Sequence, residues 1–116
     1  MITVLKSKIP EAVVTKSSVD YKGSITIDVD IMNAMDIIPY ERDDVNGLYV
    51  PRRIATYALA GEKGSGCIEL NGGASQFFKI GDIINILAWK SIEEKGTAVY
   101  LHRPTIVHLD ENNKLI

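Results

Sequence analysis

The sequence predicts a mainly β protein, a small closed barrel of short strands interrupted by two short helices. Three observations carry that expectation. Apolar, β-branched runs of four to seven residues recur between turn formers, a length that suits strands and not core helices. Helical spacing is confined to two brief stretches, so the long strand–helix alternation of a doubly wound parallel sheet is missing. A strand–helix–strand order also occurs twice, around residues 25–45 and again around residues 68–87. A duplicated unit of this kind suits a barrel, which leaves no exposed sheet edge.

Residues 2–5 and 12–15 open the chain as strands rich in Val, Ile and Thr. Residues 24–28 follow as a third strand, entered through Gly23. Asp30 is placed to cap a short helix whose inner face carries Ile31, Met35 and Ile38, and the chain re-enters strand around residues 41–45. Residues 54–60 form the next strand and end in the glycine-rich turn 62–66. Residues 67–70 are a brief strand running into Asn71, Gly72 and Gly73, after which residues 74–78 make one or two helical turns. Residues 83–89, the most apolar run, are entered through Gly81 and Asp82. Residues 105–109 follow Pro104, and residues 110–114 read as an exposed turn.

A chain of 116 residues and 12.8 kDa corresponds to one domain, 1–116, with no linker or low-complexity stretch. Its 46% hydrophobic and 24% charged residues are those of a globular protein and not of a disordered one. Cys67 is alone, which excludes a disulfide framework and a cysteine-rich zinc module, and its place in a strand marks it as a core residue. His102 and His108 stand six apart with no clustered thiol or carboxylate, so no metal site is expected. No apolar run approaches the roughly 20 residues that cross a bilayer, and the start lacks the layout of a secretory signal. The expected setting is the cytoplasm, without a membrane partner. A net charge of -2 argues against a nucleic-acid partner. The charge is uneven, however. Residues 1–24 carry four Lys against two acids, and residues 25–50 carry six acids against Arg42 alone. Arg52 and Arg53 then form a compact basic pair close to Thr56 and Tyr57, suited to gathering a small acidic ligand.

The informative segment is Tyr21, Lys22, Gly23, Ser24, Ile25, Thr26. A glycine–serine step also occurs at Gly64 and Ser65, but inside a turn, whereas Gly23 and Ser24 open an apolar strand. A serine hydroxyl can attack the carbonyl of the residue before it and convert that amide to an ester. Glycine in the preceding position has no Cβ and tolerates the backbone strain of the attack. β-Elimination of the ester leaves dehydroalanine, which hydrolyses to a pyruvoyl group, a built-in ketone able to act as an electron sink.

Four motifs share one pattern: Leu5 to Lys8; Tyr21 to Asp28; Arg53, Ile54, Ala55, Thr56 and Tyr57; and Asn71, Gly72, Gly73 and Ala74. With Gly81–Asp82 and Arg103–Pro104 they span nearly the whole chain, and in this order the chain resembles the aspartate 1-decarboxylase family of pyruvoyl enzymes. The resemblance implies a double-psi β-barrel with short helices, and a homotetramer with active sites at subunit interfaces. It also implies self-cleavage between Gly23 and Ser24 into a β chain, 1–23, and an α chain, 24–116. The implied activity is decarboxylation of L-aspartate to β-alanine and carbon dioxide, feeding pantothenate synthesis.

Carried over residue by residue, the resemblance makes Ser24 the source of the pyruvoyl group, whose ketone takes up the amino group of aspartate as a Schiff base. It makes Tyr57 the proton donor to the carbanion left by decarboxylation. Arg53 and Lys8 hold carboxylates, the arginine by its planar fork and the lysine as a point charge. Thr56 donates to oxygen near the cleavage point and also faces the substrate. Backbone amides around Gly72, Gly73 and Ala74 bind substrate oxygen, and Asn71 and Tyr21 line the same pocket. The chain departs from the family pattern at Pro10 and Glu11, which replace a histidine and an arginine, and in the hairpin before Arg53. Gly73 and Ser75 stand where alanine is usual. The departures at Pro10, Glu11 and the hairpin are the support for an alternative, an unprocessed barrel that acts as a binding or assembly module.

Overall fold

The computed structural model describes residues 1–19, 23–93 and 100–116. Eight strands form: β1 (Ile2–Val13), β2 (Lys16–Ser18), β3 (Ser24–Asp28), β4 (Arg42–Gly47), β5 (Arg53–Gly61), β6 (Ile68–Asn71), β7 (Ile83–Ile92) and β8 (Thr105–Ile106). Helix α1 (Val29–Met35) follows β3, and a 3₁₀ helix (Gly72–Gln76) follows β6. Around the sheet the order is β2-β6-β3-β5-β4-β7-β1-β8. Only Val14 and Thr15 separate β1 from β2, so one length of chain supplies both ends of the row from β2 to β1 and the wall closes on itself. The Val14 N–H donates to the Asp82 carbonyl (2.9 Å) and the Thr15 N–H to the Ile68 carbonyl (2.8 Å) across that seam. The result is the small, mainly β barrel with short helices that the sequence predicts. Among the described residues, no helix is long and apolar enough to cross a membrane.

Alternation sets the core. Ser7 and Ile9 on β1, Val45 on β4, and Ile84, Ile86 and Ala88 on β7 are buried, while their immediate strand neighbours are more exposed, Leu87 alone remaining buried between Ile86 and Ala88. β1 is longer than expected, because it runs through the polar stretch between the two predicted opening strands. Its register against β7 slips between Leu5 and Ser7 and again between Ile9 and Ala12. Pro10 falls in the second slip, where a residue without an N–H removes no bond from the ladder. β3 is buried on nearly every residue, since β6 pairs with it antiparallel, β5 pairs with it parallel, and α1 packs beside it.

The helix is capped by Asp28 and not by Asp30. Asp28 Oδ1 accepts the Asp30 N–H (2.9 Å), and Asp30 sits in the first turn, where its carboxylate favours the helix dipole and pairs with Lys63 (2.8 Å). The helix ends at Asp36 in a left-handed conformation (φ 59°), so Ile38 lies beyond it and is 67% exposed, not on an inner face. Asp28 also accepts the Gly64 N–H (3.0 Å) and the Gly66 N–H (2.8 Å), tying the helix start to the turn between β5 and β6. Burial opposes its charge, but the N–H groups of Gly66, Asp30 and Gly64 and the charge of Lys114 outweigh it and hold the carboxyl below its ordinary value.

Near the end, β8 is shorter than the predicted strand 105–109, and residues 110–114 turn as expected. Asn113 inside that turn is nonetheless buried. Its side chain accepts the Val13 N–H (2.8 Å) and donates to the carbonyls of Val13 (2.7 Å) and Gly66 (2.9 Å), stapling the tail to the barrel. Cys67 is buried as expected, and burial pushes its thiol up.

Candidate active site

Ser24 is the first residue of β3 and is fully buried. The antiparallel partner β6 places Asn71 directly opposite it, and the parallel partner β5 pairs Ile25 with Ala58, which sets Tyr57 alongside Ser24. Asn71 donates from Nδ2 to Ser24 Oγ (2.9 Å) and to Thr26 Oγ1 (2.9 Å), so one buried amide positions two hydroxyls on the same face of β3. These groups line a cleft of about 620 Å³ on the outer wall of the barrel, together with Tyr57, Lys16 and Glu69. Tyr40 completes one side. Its ring stacks on Tyr57 (centroids 6.0 Å apart, 27° between planes). Its backbone is left-handed (φ 71°), disfavoured for an aromatic residue, and is held there by a bond from its N–H to the Ala58 carbonyl (2.7 Å).

A second cleft, of about 510 Å³, lies on the other side of Tyr57 and is lined by Gly23, Thr56, Gly73 and Ala74 as well as by Tyr57 itself. The linkage between Gly23 and Ser24 therefore joins two hollows that share one tyrosine. A Cβ added to Gly23 would have only the Gly73 nitrogen nearby, at 3.9 Å, and one added to Gly73 would meet nothing within 4 Å. The backbone here is open to an incoming molecule. Gly72 turns the chain from β6 into the 3₁₀ helix with φ 60°, a conformation that favours glycine.

The structure thus brings together Ser24, Asn71 and Tyr57, and beside them Gly23, Thr56, Gly73 and Ala74, with Gly72 buried as the hinge between β6 and the helix. It does not bring Lys8 or Arg53 to either cleft. Lys8 is half-buried on β1, in register with Leu87 and Ile106, four strands from β3 in the sheet order. Arg53 begins β5, four residues and about 13 Å of strand before Tyr57. It is exposed, and its Nε donates to Asn46 Oδ1 (2.7 Å) across the β4–β5 pair. Tyr21 lies outside the described residues. Lys16, Glu69, Thr26 and Tyr40 are cleft residues that the sequence did not single out. Pro39 marks a turn before Tyr40, but no local pattern points that ring at Tyr57.

The barrel interior holds a second polar feature. Asp43 on β4 is 1% exposed and stands in register with Thr56 on one side and Ala88 on the other. Ser7 is also in register with Ala88. Among the described residues, neither the Asp43 carboxyl nor the Ser7 hydroxyl has a hydrogen-bond partner. Burial, with the charges of Asp44 and Glu41 adding, pushes the Asp43 carboxyl up to about 7.

Comparison with known proteins identifies relatives of the whole chain. The aspartate decarboxylase family pattern matches residues 1–116. An aspartate 1-decarboxylase from Thermoanaerobacter pseudethanolicus is 40% identical over 111 residues, covering 96% of this chain and 93% of that protein. Those of Caldicellulosiruptor saccharolyticus and Caldicellulosiruptor bescii are 42% and 44% identical, covering 100% and 99% of this chain and 89% and 88% of theirs. With the match running from the first residue to the last, the chain belongs to the aspartate decarboxylase family.

Proposed function

We propose that this chain cuts itself between Gly23 and Ser24 and then, in the cytoplasm, decarboxylates L-aspartate to β-alanine and carbon dioxide, a step that feeds pantothenate synthesis. The observation that carries the reading is the buried Ser24 hydroxyl, held by Asn71 at the junction of two clefts and beside Tyr57. In the cut, Ser24 Oγ bonds to the Gly23 carbonyl carbon while the amide nitrogen leaves as an amine, giving an ester. Loss of the proton on Cα of residue 24 expels Gly23 as a carboxylate, and water replaces the nitrogen, which departs as ammonia. The residues present fit the pyruvoyl group so formed, since its place opens onto a cleft with polar partners on β3 and β6. That group supplies a ketone, the electron sink for the charge left when carbon dioxide departs.

The remaining roles fall to the side chains around it. Thr56, beside Gly23 in the second cleft, donates to the oxygen that becomes negative during the cut. Tyr57, with its ring fixed against Tyr40, delivers a proton to the substrate carbon after decarboxylation. Asn71 holds the serine hydroxyl before the cut and a substrate oxygen after it. Gly73 and Ala74, with Gly72 behind them, offer backbone N–H groups that small side chains leave uncovered. Lys8 and Arg53 line neither cleft of their own chain, so in this reading they bind carboxylates in the cleft of a neighbouring copy within a homotetramer. Exposed Tyr40 and Tyr49, 75% and 80% accessible, suit such an assembly.

Intact-protein mass spectrometry tests the reading. Cleavage gives fragments 1–23 and 24–116, the larger one blocked at its start. Ser24→Ala should abolish both the cut and carbon dioxide release from aspartate. Release by that variant would remove Ser24 as the source of the reactive ketone, whereas a wild-type chain that stays whole after prolonged warming and releases no carbon dioxide would refute the enzyme reading in favour of a binding module. Pro10, one departure that favours the module, stands at a bulge on β1 and lines neither cleft.

A further inference from the structure

We propose that Lys16 is a further substrate-binding residue, a carboxylate anchor that the chain carrying Ser24 supplies to its own cleft, and that Glu69 beside it weakens its hold. The inference rests on aspartate being the substrate and adds, from the chain's own cleft, a contact to the side-chain carboxylate beside those proposed for Lys8 and Arg53. Lys16 opens β2, which runs parallel to β6 with Lys16 opposite Glu69 and Ser18 opposite Asn71. Asn71 in turn faces Ser24. Lys16 therefore stands on the same outer face as Ser24, two strand spacings across and two residues along. That places the two backbones about 12 Å apart. A lysine's four-carbon stem spans about half of that, leaving a gap the size of a small dicarboxylic amino acid. Among the described residues, Lys16 is the cation that lines this cleft, and neither Arg53 nor Lys8 does.

The chemistry decides which carboxylate it takes. The α-carboxylate must leave as carbon dioxide, and a cation gripping it would stabilise the charge that has to be lost. The side-chain carboxylate is kept throughout, so an anchor there binds ground state and transition state alike and acts on KM more than on kcat. Glu69 stands one strand spacing, about 4.8 Å, from Lys16 on the same face. Its carboxylate competes with the substrate for the ammonium, which gives the two residues opposite signs.

The test uses purified, fully cleaved protein. Lys16→Ala should raise KM for L-aspartate about ten-fold, the size of one charge-assisted hydrogen bond, with a smaller change in kcat. Lys16→Arg should restore most of the loss, and Glu69→Gln should lower KM by about two-fold. Equilibrium binding of succinate, a dicarboxylate that lacks the reacting amino group, read by calorimetry on the same proteins, should move with the same signs. This second measurement separates the two readings. If the wild-type protein releases no carbon dioxide, the proposed reaction fails, while a Kd weakened by Lys16→Ala and tightened by Glu69→Gln still supports the anchor. KM and Kd that stay within two-fold of wild type in Lys16→Ala would overturn it, as would a rise of either in Glu69→Gln.

Discussion

Replacing Asp43 by asparagine should flatten the pH dependence of stability. The wild-type carboxyl is raised from its ordinary 3.8 to about 7 by burial and by its neighbours Asp44 and Glu41. The folded state thus holds this proton more tightly than the unfolded chain does. Stability from this group is full below about pH 4, falls as the pH rises, and levels off above about pH 7. Three pKa units correspond to about 4 kcal/mol across the whole range, a large share of the roughly 5–15 kcal/mol that holds a domain together. Between about pH 5 and about pH 8 the part lost is about 3 kcal/mol. An amide in place of the carboxyl has no proton to lose in this range, so the Asp43→Asn chain should escape that loss, although burying the amide costs a constant amount at every pH. Urea unfolding followed by Trp89 fluorescence, at fixed protein concentration and in a Ser24→Ala background that keeps one chain, measures the difference. The gap between wild-type and variant midpoints should change by on the order of 2 M urea between the two conditions. Midpoints that move in parallel would show that Asp43 is solvated or paired in the folded protein.

Asp28→Asn should act at the opposite end of the pH scale. A carboxyl held below its ordinary value stabilises the fold above the unfolded pKa and loses that contribution as the pH falls through the folded one. The variant should therefore be less stable than wild type near neutrality and converge with it in acid, as followed by circular dichroism. Tyr57→Phe should leave the cut at Gly23 intact and reduce turnover by about 100-fold, and an unchanged rate would remove Tyr57 as the proton donor. Arg53→Lys should raise KM for aspartate roughly ten-fold because a planar fork becomes a point charge. A larger effect from Arg52→Lys would transfer that role to Arg52.

Strands whose inner faces are unbroken were legible in the sequence. Residues 24–28 match β3 from end to end, and the runs at residues 54–60 and 83–89 lie within β5 and β7. β1 read as two pieces because Lys6, Lys8, Pro10 and Glu11 interrupt the apolar run, although alternation keeps Ser7 and Ile9 on the inside. β2 has three residues and no local signature. The choice between Asp28 and Asp30 as cap turns on which carboxylate reaches the turn at Gly64 and Gly66, a contact made 36 to 38 residues away in the chain. The site shows the same division. Gly23, Ser24, Thr56, Tyr57 and residues 71–74 sit in motifs that a linear reading can recognise. Lys16 and Glu69 meet only because closure of the barrel pairs β2 with β6. Asp43 is one of the six acids in residues 25–50, yet it lies two residues from Val45, and strand alternation turns both inward.

The seam of the barrel bears on what the proposed cut would do to the molecule. Both segments that complete the wall, β1 and β2, come from residues ahead of Gly23. If severed as proposed, the short piece would stay clamped, β1 between β7 and β8 and β2 along β6. Nothing is shed while the fold persists. After unfolding, though, the two pieces must find each other by diffusion, so recovery becomes second order and fails on dilution. The proposed cut would then work as a ratchet, trading a chain that refolds alone for one that depends on never coming apart.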